Sequence, residues 1–213
     1  MSERVVEFSG SSWTLKRAAA APVGPGPNYF DDSPAAVRVT ADDALALTIA
    51  RRAGRWRCAE VIGSRPLGYG RYEWTIDTPG HRLDSNVVLG LFTWSDDPVQ
   101  HNRELDIEVS AWGALPPRPV GGLCTVHPAD GPGHQASFVP PTAGPWTCSL
   151  DWCPARVTFT VDGAIVNEVD GPAVPDPETA APRINLWLVD GRVPAGNGDR
   201  RVLIRAFRHV RSG

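Results

Sequence analysis

Short β-rich runs recur along the whole chain at roughly ten-residue intervals, and this spacing strongly constrains the fold. Helical periodicity is almost absent. Candidate strands cover residues 36–40, 44–50, 57–62, 69–77, 86–94, 104–110, 122–127, 136–139, 147–152, 156–162, 164–169, 184–189 and 201–210. Thirteen short strands without a clear helix predict an all-β protein built from two packed antiparallel sheets. Within this pattern, Asp162-Gly163 lies between two β-rich runs and predicts a tight hairpin.

Length and composition set the remaining limits. At 213 residues the chain can bury a sizeable core, and its Pro/Gly clusters are short and scattered, so we expect a single domain over residues 1–213. The net charge of −3 indicates neither a nucleic-acid partner nor an anionic membrane. No apolar run approaches the length of a membrane span. We also expect a monomer. Lys16 is the only lysine, which we attribute to coding bias.

The cysteines predict free thiols. They form no C-x-x-C pair and lack histidine partners at zinc-finger spacing, which favours a reducing compartment with no metal site and no cofactor. They are Cys58, Cys124, Cys148 and Cys153. Met1 leads directly into structured-looking sequence, so we expect a cytoplasmic protein as the sequence is written, or a secreted one if a signal peptide was removed.

Three acidic residues alternate with apolar ones in the segment Glu104-Leu105-Asp106-Ile107-Glu108. Because successive side chains of a strand point to opposite faces, Glu104, Asp106 and Glu108 share one face. Their repulsion raises at least one pKa and destabilises the strand. A solvated acidic face is the ordinary explanation, but the apolar and aromatic runs at 86–94 and 109–112 favour a cleft. The arrangement suits a reaction that needs one protonated and one ionised carboxyl group.

Other motifs surround the acidic strand in a fixed order over nearly the whole chain. They are Cys58-Ala59-Glu60, Leu67-Gly68-Tyr69-Gly70-Arg71-Tyr72-Glu73, Phe92-Thr93-Trp94, Asp151-Trp152, Val161-Asp162-Gly163 and Asn185-Leu186-Trp187. Together with the acidic strand, they resemble family 16 of the glycoside hydrolases. The resemblance implies an all-β, two-sheet antiparallel jelly-roll sandwich of the concanavalin A type. It also implies a glycosidase with an oligo- or polysaccharide as its substrate.

The resemblance further implies a role for each of the three acids. Glu104 would be the nucleophile, Glu108 the general acid/base, and Asp106 the residue that tunes their charge. Retaining glycosidases need two carboxyl groups about 5–5.5 Å apart. Glutamate side chains that lean inward from α-carbons roughly 13 Å apart on a strand can close much of that gap. Repulsion would keep Glu108 protonated while Glu104 stays ionised.

Five other residues are implied to contact the sugar. Trp94 and Trp187 would line the cleft, and Asn185 would donate a hydrogen bond to a hydroxyl group. Glu60 would contact sugar hydroxyls, the alternative being a surface strand residue. His127 would face the cleft from a neighbouring strand, although a lone histidine is more often structural.

The sequence also departs from the family pattern. Arg103 precedes Glu104 where the lichenase branch has an aspartate, and an arginine there would lower carboxylate pKa values and could pair with Glu104 or with substrate. Val61-Ile62 follows Glu60, where that branch carries an arginine that reaches the cleft. The run 206–209 of the last strand lacks the aspartate that often helps to hold a structural calcium, so we expect none.

Three functions remain open at this stage. The leading one is a retaining hydrolase that acts on a β-linked glucan or galactan in an open cleft. The second is a carbohydrate-binding sandwich that has lost turnover, as the departures near Glu60 and Glu104 would allow. The third is the same scaffold acting on an intracellular small molecule, as the missing signal sequence would allow.

Overall fold

The computed structural model describes residues 3–116, 118–131, 133–196 and 198–212. Within these ranges the chain forms β-strands and three short 3-10 helices, at Gly80–Arg82, His101–Arg103 and Val189–Gly191. The strands are β1 (Val5–Phe8), β2 (Ser11–Leu15), β3 (Ala18–Val23), β4 (Asn28–Phe30), β5 (Val37–Val39), β6 (Leu45–Arg52), β7 (Arg55–Arg57), β8 (Ala59–Gly63), β9 (Gly70–Ile76), β10 (Val87–Trp94), β11 (Leu105–Ser110), β12 (Gly121–Val126), β13 (Gln135–Phe138), β14 (Trp146–Cys153), β15 (Arg156–Val161), β16 (Ala164–Asp170), β17 (Ala181–Leu188) and β18 (Arg200–Arg211).

Two large antiparallel sheets pack against each other. The first has the strand order β1-β2-β8-β17-β10-β11-β12-β13, and the second has the order β16-β15-β14-β9-β18-β6-β5, with β7 also paired to β6. β3 and β4 form a separate two-stranded hairpin. The predicted two-sheet antiparallel jelly-roll sandwich of the concanavalin A type is therefore confirmed.

The core lies between the two sheets and follows from the alternation of side chains along each strand. In β9, Tyr72, Trp74 and Ile76 are fully buried, while the residues between them are partly exposed. Leu105 and Ile107 of β11 point into the same core from the first sheet. Since one sheet face is used for the core, the opposite face of the first sheet is free to carry polar side chains.

Each of the thirteen predicted segments overlaps an observed strand. The prediction missed β1 to β4, and it missed the division between β7 and β8. Arg57 ends a strand that pairs with the second sheet, whereas Ala59 begins a strand of the first sheet. The chain therefore passes from one sheet to the other at Cys58, which makes only an isolated bridge to Phe30.

Two local predictions are also confirmed. Asp162 and Gly163 join β15 to β16 with positive φ angles of 46° and 79°, as a two-residue hairpin turn requires. All four cysteines are free thiols, and burial raises the pKa of Cys58 and of Cys124 to about 12. Among the described residues, no helix has the length and hydropathy needed to cross a bilayer.

Candidate active site

The face of the first sheet that points away from the core carries a cavity of about 550 Å³. Seven of the eight site residues predicted from the sequence line this cavity. They are Glu60, Trp94, Glu104, Asp106, Glu108, Asn185 and Trp187. Residues separated by more than a hundred positions in the sequence thus meet at one place, on the wall of a single cavity.

Strand register explains how these residues meet. Gly90 of β10 pairs with Glu108 of β11 on one side and with Asn185 of β17 on the other. Asn185 in turn pairs with Glu60 of β8. Paired residues of antiparallel strands point to the same face, so these four residues form a transverse row across the cavity floor.

The acidic strand presents its side chains as the alternation predicts. Leu105 and Ile107 are fully buried in the core, and Glu104, Asp106 and Glu108 lie on the cavity side. The boundary differs slightly from the prediction, since β11 begins at Leu105. Glu104 is the extended residue directly before the strand, with φ −90° and ψ 120°.

Burial raises the pKa of Glu104, Asp106 and Glu108, each to about 8. The charge of Asp106 raises the pKa of both glutamates further, whereas His127 lowers both. Arg183 lowers the pKa of Glu104 in addition. Because the three carboxyl groups interact, they bind protons as a unit, and the cluster retains protons near neutral pH.

His127 lies beside the acids and outside the set of residues that line the cavity. Its Nε2 is 2.8 Å from Oδ2 of Asp106, and its backbone N–H donates to the carbonyl oxygen of Glu104 at 3.1 Å. The structure therefore places His127 against Asp106, where it orients that carboxyl group, and the predicted contact of His127 with the sugar stays a prediction.

The side chains of Glu104, Asp106 and His127 are arranged so that they could hold a metal ion. One ligand atom each of Glu104, Asp106 and His127 lies within 4.8 Å of the other two. Carboxylate and imidazole groups together suit a divalent transition metal. The bond between His127 and Asp106 already pairs two of these groups, so the cluster needs no ion to satisfy them. The expectation of a metal-free site remains a prediction.

Glu60 is held by two cations. Its Oε2 lies 2.8 Å from Nζ of Lys16, and its Oε1 lies 3.4 Å from Nη1 of Arg183. Its side chain is only 1% exposed, so the alternative of a surface strand residue is wrong. Lys16, whose rarity was attributed to coding bias, lies in the cavity wall. Its ammonium group also donates to the carbonyl oxygen of Gly24 at 2.8 Å and lies 4.3 Å from the ring centroid of Phe30.

Arg183 brings a guanidinium group into the cavity beside Glu60. It is the cross-strand partner of Ile62, which belongs to the segment Val61-Ile62 after Glu60. Its guanidinium carbon lies 5.8 Å from the ring centroid of Trp94, and its Nη2 lies 3.5 Å from Oδ1 of Asp96. The guanidinium group thus reaches the cavity from the opposite strand.

Arg103 does not have the role expected from its position beside Glu104. It is buried and pairs with Glu178 at 2.6 Å and with Asp97 at 3.5 Å. The expectation that Arg103 pairs with Glu104 is therefore wrong. The groups that lower the pKa of Glu104 are His127 and Arg183.

Three polar atoms of cavity residues are buried and lack a hydrogen-bond partner in the described part of the chain. They are Oδ1 of Asn185, Nε1 of Trp187 and Nε of Arg183. An unsatisfied buried polar group costs roughly 1–3 kcal/mol. A cavity lined by such groups and by carboxyl groups is suited to a ligand rich in hydroxyl groups, which both donate and accept hydrogen bonds.

Gly90 makes room for one of these groups. A Cβ atom at position 90 would lie 2.4 Å from Oδ1 of Asn185, much closer than two such atoms can approach. The amide of Asn185 therefore lies directly over the backbone of β10 between Glu60 and Glu108. Only glycine at position 90 permits this arrangement.

A second depression of about 440 Å³ lies on the other side of β11. Leu123, which lines it, pairs with Glu108, so the two share a face. Trp112 lies over Gly121 on that face, since a Cβ atom at Gly121 would be 3.7 Å from its ring.

Sequence reasoning thus missed two residues of the cavity, Lys16 and Arg183. Arg183 could have been found, because it alternates with Asn185 and Trp187 and must share their face. Lys16 follows a strand that was not predicted, so no periodic signal pointed to it.

Comparison with known proteins supports the fold. No protein-family model matches the sequence, and no curated protein matches it significantly. Solved structures do match. A Bacillus licheniformis beta-glucanase is 17% identical, with 93% of this chain and 92% of that chain covered and a TM-score of 0.71. A laminarinase from Flavobacterium sp. UMI-01 is 12% identical, with 92% of each chain covered and a TM-score of 0.73.

A third solved structure is similar over nearly the whole chain. It is described as an immunostimulatory antigen and pseudo beta-1,3-glucanase of Mycobacterium tuberculosis. It is 21% identical, with 94% of this chain and 91% of that chain covered and a TM-score of 0.72. At these identities the likeness establishes a shared fold, and the chemistry has to be argued from the residues of this chain.

Proposed function

We propose that this chain, which has the concanavalin A-like fold of the family 16 glycoside hydrolases, is a retaining glycoside hydrolase acting on a β-linked glucan or galactan. The observation that carries the proposal is the convergence of Glu104, Asp106 and Glu108 on the wall of one cavity. The indole rings of Trp94 and Trp187 line the same cavity and offer apolar faces for sugar rings.

In the first step, the carboxylate of Glu104 attacks the anomeric carbon while Glu108 donates its proton to the glycosidic oxygen. The bond to the leaving sugar breaks, and an ester forms between Glu104 and the glycosyl group. In the second step, the carboxylate of Glu108 takes a proton from water, and the water oxygen attacks the anomeric carbon. The ester breaks, Glu104 is regenerated, and the anomeric configuration is retained.

The surroundings of the two glutamates favour this division of roles. Arg183 lowers the pKa of Glu104 but is not among the groups that affect Glu108. The guanidinium charge therefore favours an ionised nucleophile and leaves the shared proton to Glu108. His127 holds one oxygen of Asp106, so that this carboxyl group keeps a fixed position between the two glutamates.

The similar structures guide the choice of substrates. The similar structures include a beta-glucanase and a laminarinase, which favours β-linked glucans as the first substrates to test. β-Linked galactans belong in the same screen, because the polar groups of the cavity do not by themselves distinguish the two sugars.

The first prediction concerns the nucleophile. Glu104→Gln should reduce the release of reducing ends from β-1,3-glucan, mixed-linkage glucan or galactan at least about 10³-fold, because the amide cannot form the ester. Binding of the matching oligosaccharide, measured by calorimetry, should survive. Glu168→Gln, on the exposed face of β16, is the matched control and should keep the wild-type rate.

Two results would contradict the mechanism. Near-normal turnover by Glu104→Gln would remove Glu104 from the reaction. Proton NMR of the first product should show the β-anomer, and initial formation of the α-anomer from a β-linked substrate would exclude a retaining enzyme.

A carbohydrate-binding sandwich without turnover is the second candidate function. Two observations favour it: both carboxylate oxygens of Glu60 are already paired, and one similar structure is described as a pseudo beta-1,3-glucanase. Oligosaccharide binding by the wild-type protein, together with no release of reducing ends from any glycan of the screen, would establish this function instead.

A further inference from the structure

We infer that the cleft is closed at one end by Lys16 and the loop between β3 and β4, so that the enzyme cuts a glycan chain at a short, fixed distance from one of its ends. This inference rests on the proposed function. It concerns the mode of attack, which neither the fold nor the acid cluster determines. An open groove would accept internal segments of a long chain, whereas a blind groove requires a free chain end.

The wall formed by Lys16 lies at the end of the transverse row of residues that begins at Glu108. Glu108, Gly90, Asn185 and Glu60 form this row, and the backbone N–H of Lys16 donates to the carbonyl oxygen of Glu60 at 3.0 Å. Lys16 therefore extends the row onto the next strand. A glycan that lies across the strands from the acids along this row meets the lysine side chain.

The lysine is fixed in this position. Its ammonium group bonds to Oε2 of Glu60 and to the carbonyl oxygen of Gly24, each at 2.8 Å, and lies over the ring of Phe30. These contacts connect the floor of the groove to the loop above it. Gly24 and Pro25 complete the wall, since both line the cavity.

The loop itself is packed tightly against the rest of the sheet. Nδ2 of Asn28 donates to the carbonyl oxygens of Pro25 and of Leu188, each at 2.8 Å. A Cβ atom at Gly26 would lie 2.8 Å from Nδ2 of Asn28 and 3.2 Å from the carbonyl oxygen of Leu188. Such close contacts leave the loop little freedom to swing away from the groove.

Strand spacing limits the length of this closed arm. β10, β17 and β8 lie between β11 and β2 in the first sheet. With neighbouring strands about 4.8 Å apart, the acids are roughly 19 Å from the strand that Lys16 follows. This distance accommodates only a few sugar rings between the reacting bond and the wall.

On the other side of the acids, toward β12 and β13, the inferred cleft has no such wall. The second depression, which contains Leu123 and Trp112, lies over β12 and β13, and β13 is the edge strand of the sheet. Ser137 of β13, the cross-strand partner of Leu123, lines this depression as well. The rest of the glycan chain would leave over this edge, with the indole of Trp112 available to a sugar ring.

The test follows product length. The wild-type protein is incubated with β-1,3-, mixed-linkage and β-1,4-galacto-oligosaccharides of several lengths, each free or carrying a bulky fluorescent group at one end or the other. We expect one short product whose length does not depend on the length of the substrate. Blocking one of the two ends should lower kcat/KM at least about tenfold, and blocking the other end should have little effect.

Variants of the wall provide the matched comparison. Lys16→Ala removes the side chain that joins Glu60 to Gly24 and should lengthen the product or relax the requirement for a free end. Replacing residues 20–27 by a two-residue Gly-containing turn should do so more strongly. Arg17→Ala, at an exposed neighbouring position, should leave the product pattern unchanged. If the shortened hairpin fails to fold, Lys16→Ala still tests the wall.

The outcomes separate the inference from the proposed function. Products of many lengths, with equal tolerance of blocks at both ends, would overturn the closed cleft while supporting the hydrolase. Binding without cleavage would refute the hydrolase, and the effect of end blocks on affinity would still decide whether the groove is closed. Neither binding nor cleavage of any oligosaccharide would overturn both.

Discussion

At the scale of single residues, the cavity gives two chemically identical glutamates different neighbours. Glu104 and Glu108 are both buried and both experience the charge of Asp106. Arg183 acts on Glu104 alone, across the sheet from β17. If Glu104 and Glu108 act as proposed, removal of this one guanidinium group should affect the two limbs of the pH–rate profile unequally.

The second prediction tests this asymmetry. Arg183→Gln should move the acidic limb of the kcat/KM profile to higher pH, because Glu104 loses a cation that favours its ionised form. The loss of rate should be larger at low pH than at high pH, about tenfold or more on the acidic side. Measurement of kcat/KM over the pH range provides the check, and Arg156→Gln on the second sheet is the control.

If the acidic limb of the kcat/KM profile does not move in Arg183→Gln, then Arg183 does not favour the ionised form of Glu104. A uniform loss of rate at all pH values would indicate that the residue only supports Glu60 or contacts the substrate. Comparison of KM with kcat separates these outcomes, because loss of a substrate contact alone raises KM without displacing the limb.

At the scale of strands, cross-strand register determines which residues meet. Gly90, Asn185 and Glu108 are adjacent only because β10 pairs with β17 and β11 in one particular register. A slip of one residue would turn every carboxyl group of β11 into the core. The apolar face of β11, with Leu105 and Ile107 fully buried, opposes such a slip and so fixes the site from the core side.

The third prediction uses this register. Gly90→Ala should lower kcat/KM at least about tenfold, since the new methyl group displaces the amide of Asn185 from the cavity floor. The melting temperature should change little, because the atom displaced is the end of the Asn185 side chain, which faces the cavity and not the core. In the background of Asn185→Ala, the same Gly90→Ala substitution should cost much less.

This double-mutant cycle contains its own control. Equal losses in the two backgrounds would show that Gly90 and Asn185 act independently. The role of the amide can be checked separately with Asn185→Asp, which keeps the shape of the side chain but adds another carboxyl group near Glu108 and should raise the pKa of that residue further.

How far the sequence predicts this arrangement depends on the element. Strands with clear alternation, such as β9 and β11, were predicted nearly to their ends. β3 was missed because it consists of alanines, a proline and a valine, is mostly exposed, and pairs only with β4. β7 and β8 were merged because the crossing between sheets at Cys58 leaves no turn residue to mark it.

The residues of the site divide in the same way into those that alternation within one strand predicts and those that it does not. The acids were predictable because alternation within one strand places them on one face. The pairing of Glu60 with Lys16 and Arg183 was not, because it depends on contacts between strands that are far apart in sequence. The missed N-terminal strands concealed Lys16, and with it the closed end of the cleft.

At the scale of the whole molecule, the sandwich tolerates a destabilising site because its core is separate from it. The core between the sheets buries Trp13, Trp74, Trp146 and Trp152, none of which lines the cavity. A buried indole contributes roughly 4–6 kcal/mol of hydrophobic transfer free energy before entropy is subtracted. Such a core can stabilise a fold whose outer face holds three mutually repelling carboxyl groups.

The fourth prediction therefore concerns stability against pH. Glu104 and Glu108 have pKa values of about 8 in the folded chain, raised from 4.5, so the folded state binds more protons than the unfolded state between these values. The free energy of unfolding of the wild-type protein should fall as the pH rises through this window. The double variant Glu104→Gln, Glu108→Gln lacks both groups and should lose less stability over the same range.

Urea unfolding near pH 5 and near pH 8.5 measures the difference. Between these two pH values, the free energy of unfolding should fall by roughly 1–3 kcal/mol less in the double variant than in the wild-type protein. The difference is limited to this size because carboxyl groups that titrate together share the pKa shift. Replacing the exposed Glu3 and Glu168 by glutamine is the matched control and should leave the pH dependence unchanged. If the two stability curves run parallel, the acids lie in a more hydrated environment than their burial indicates, and they cannot hold a shared proton for catalysis near neutral pH.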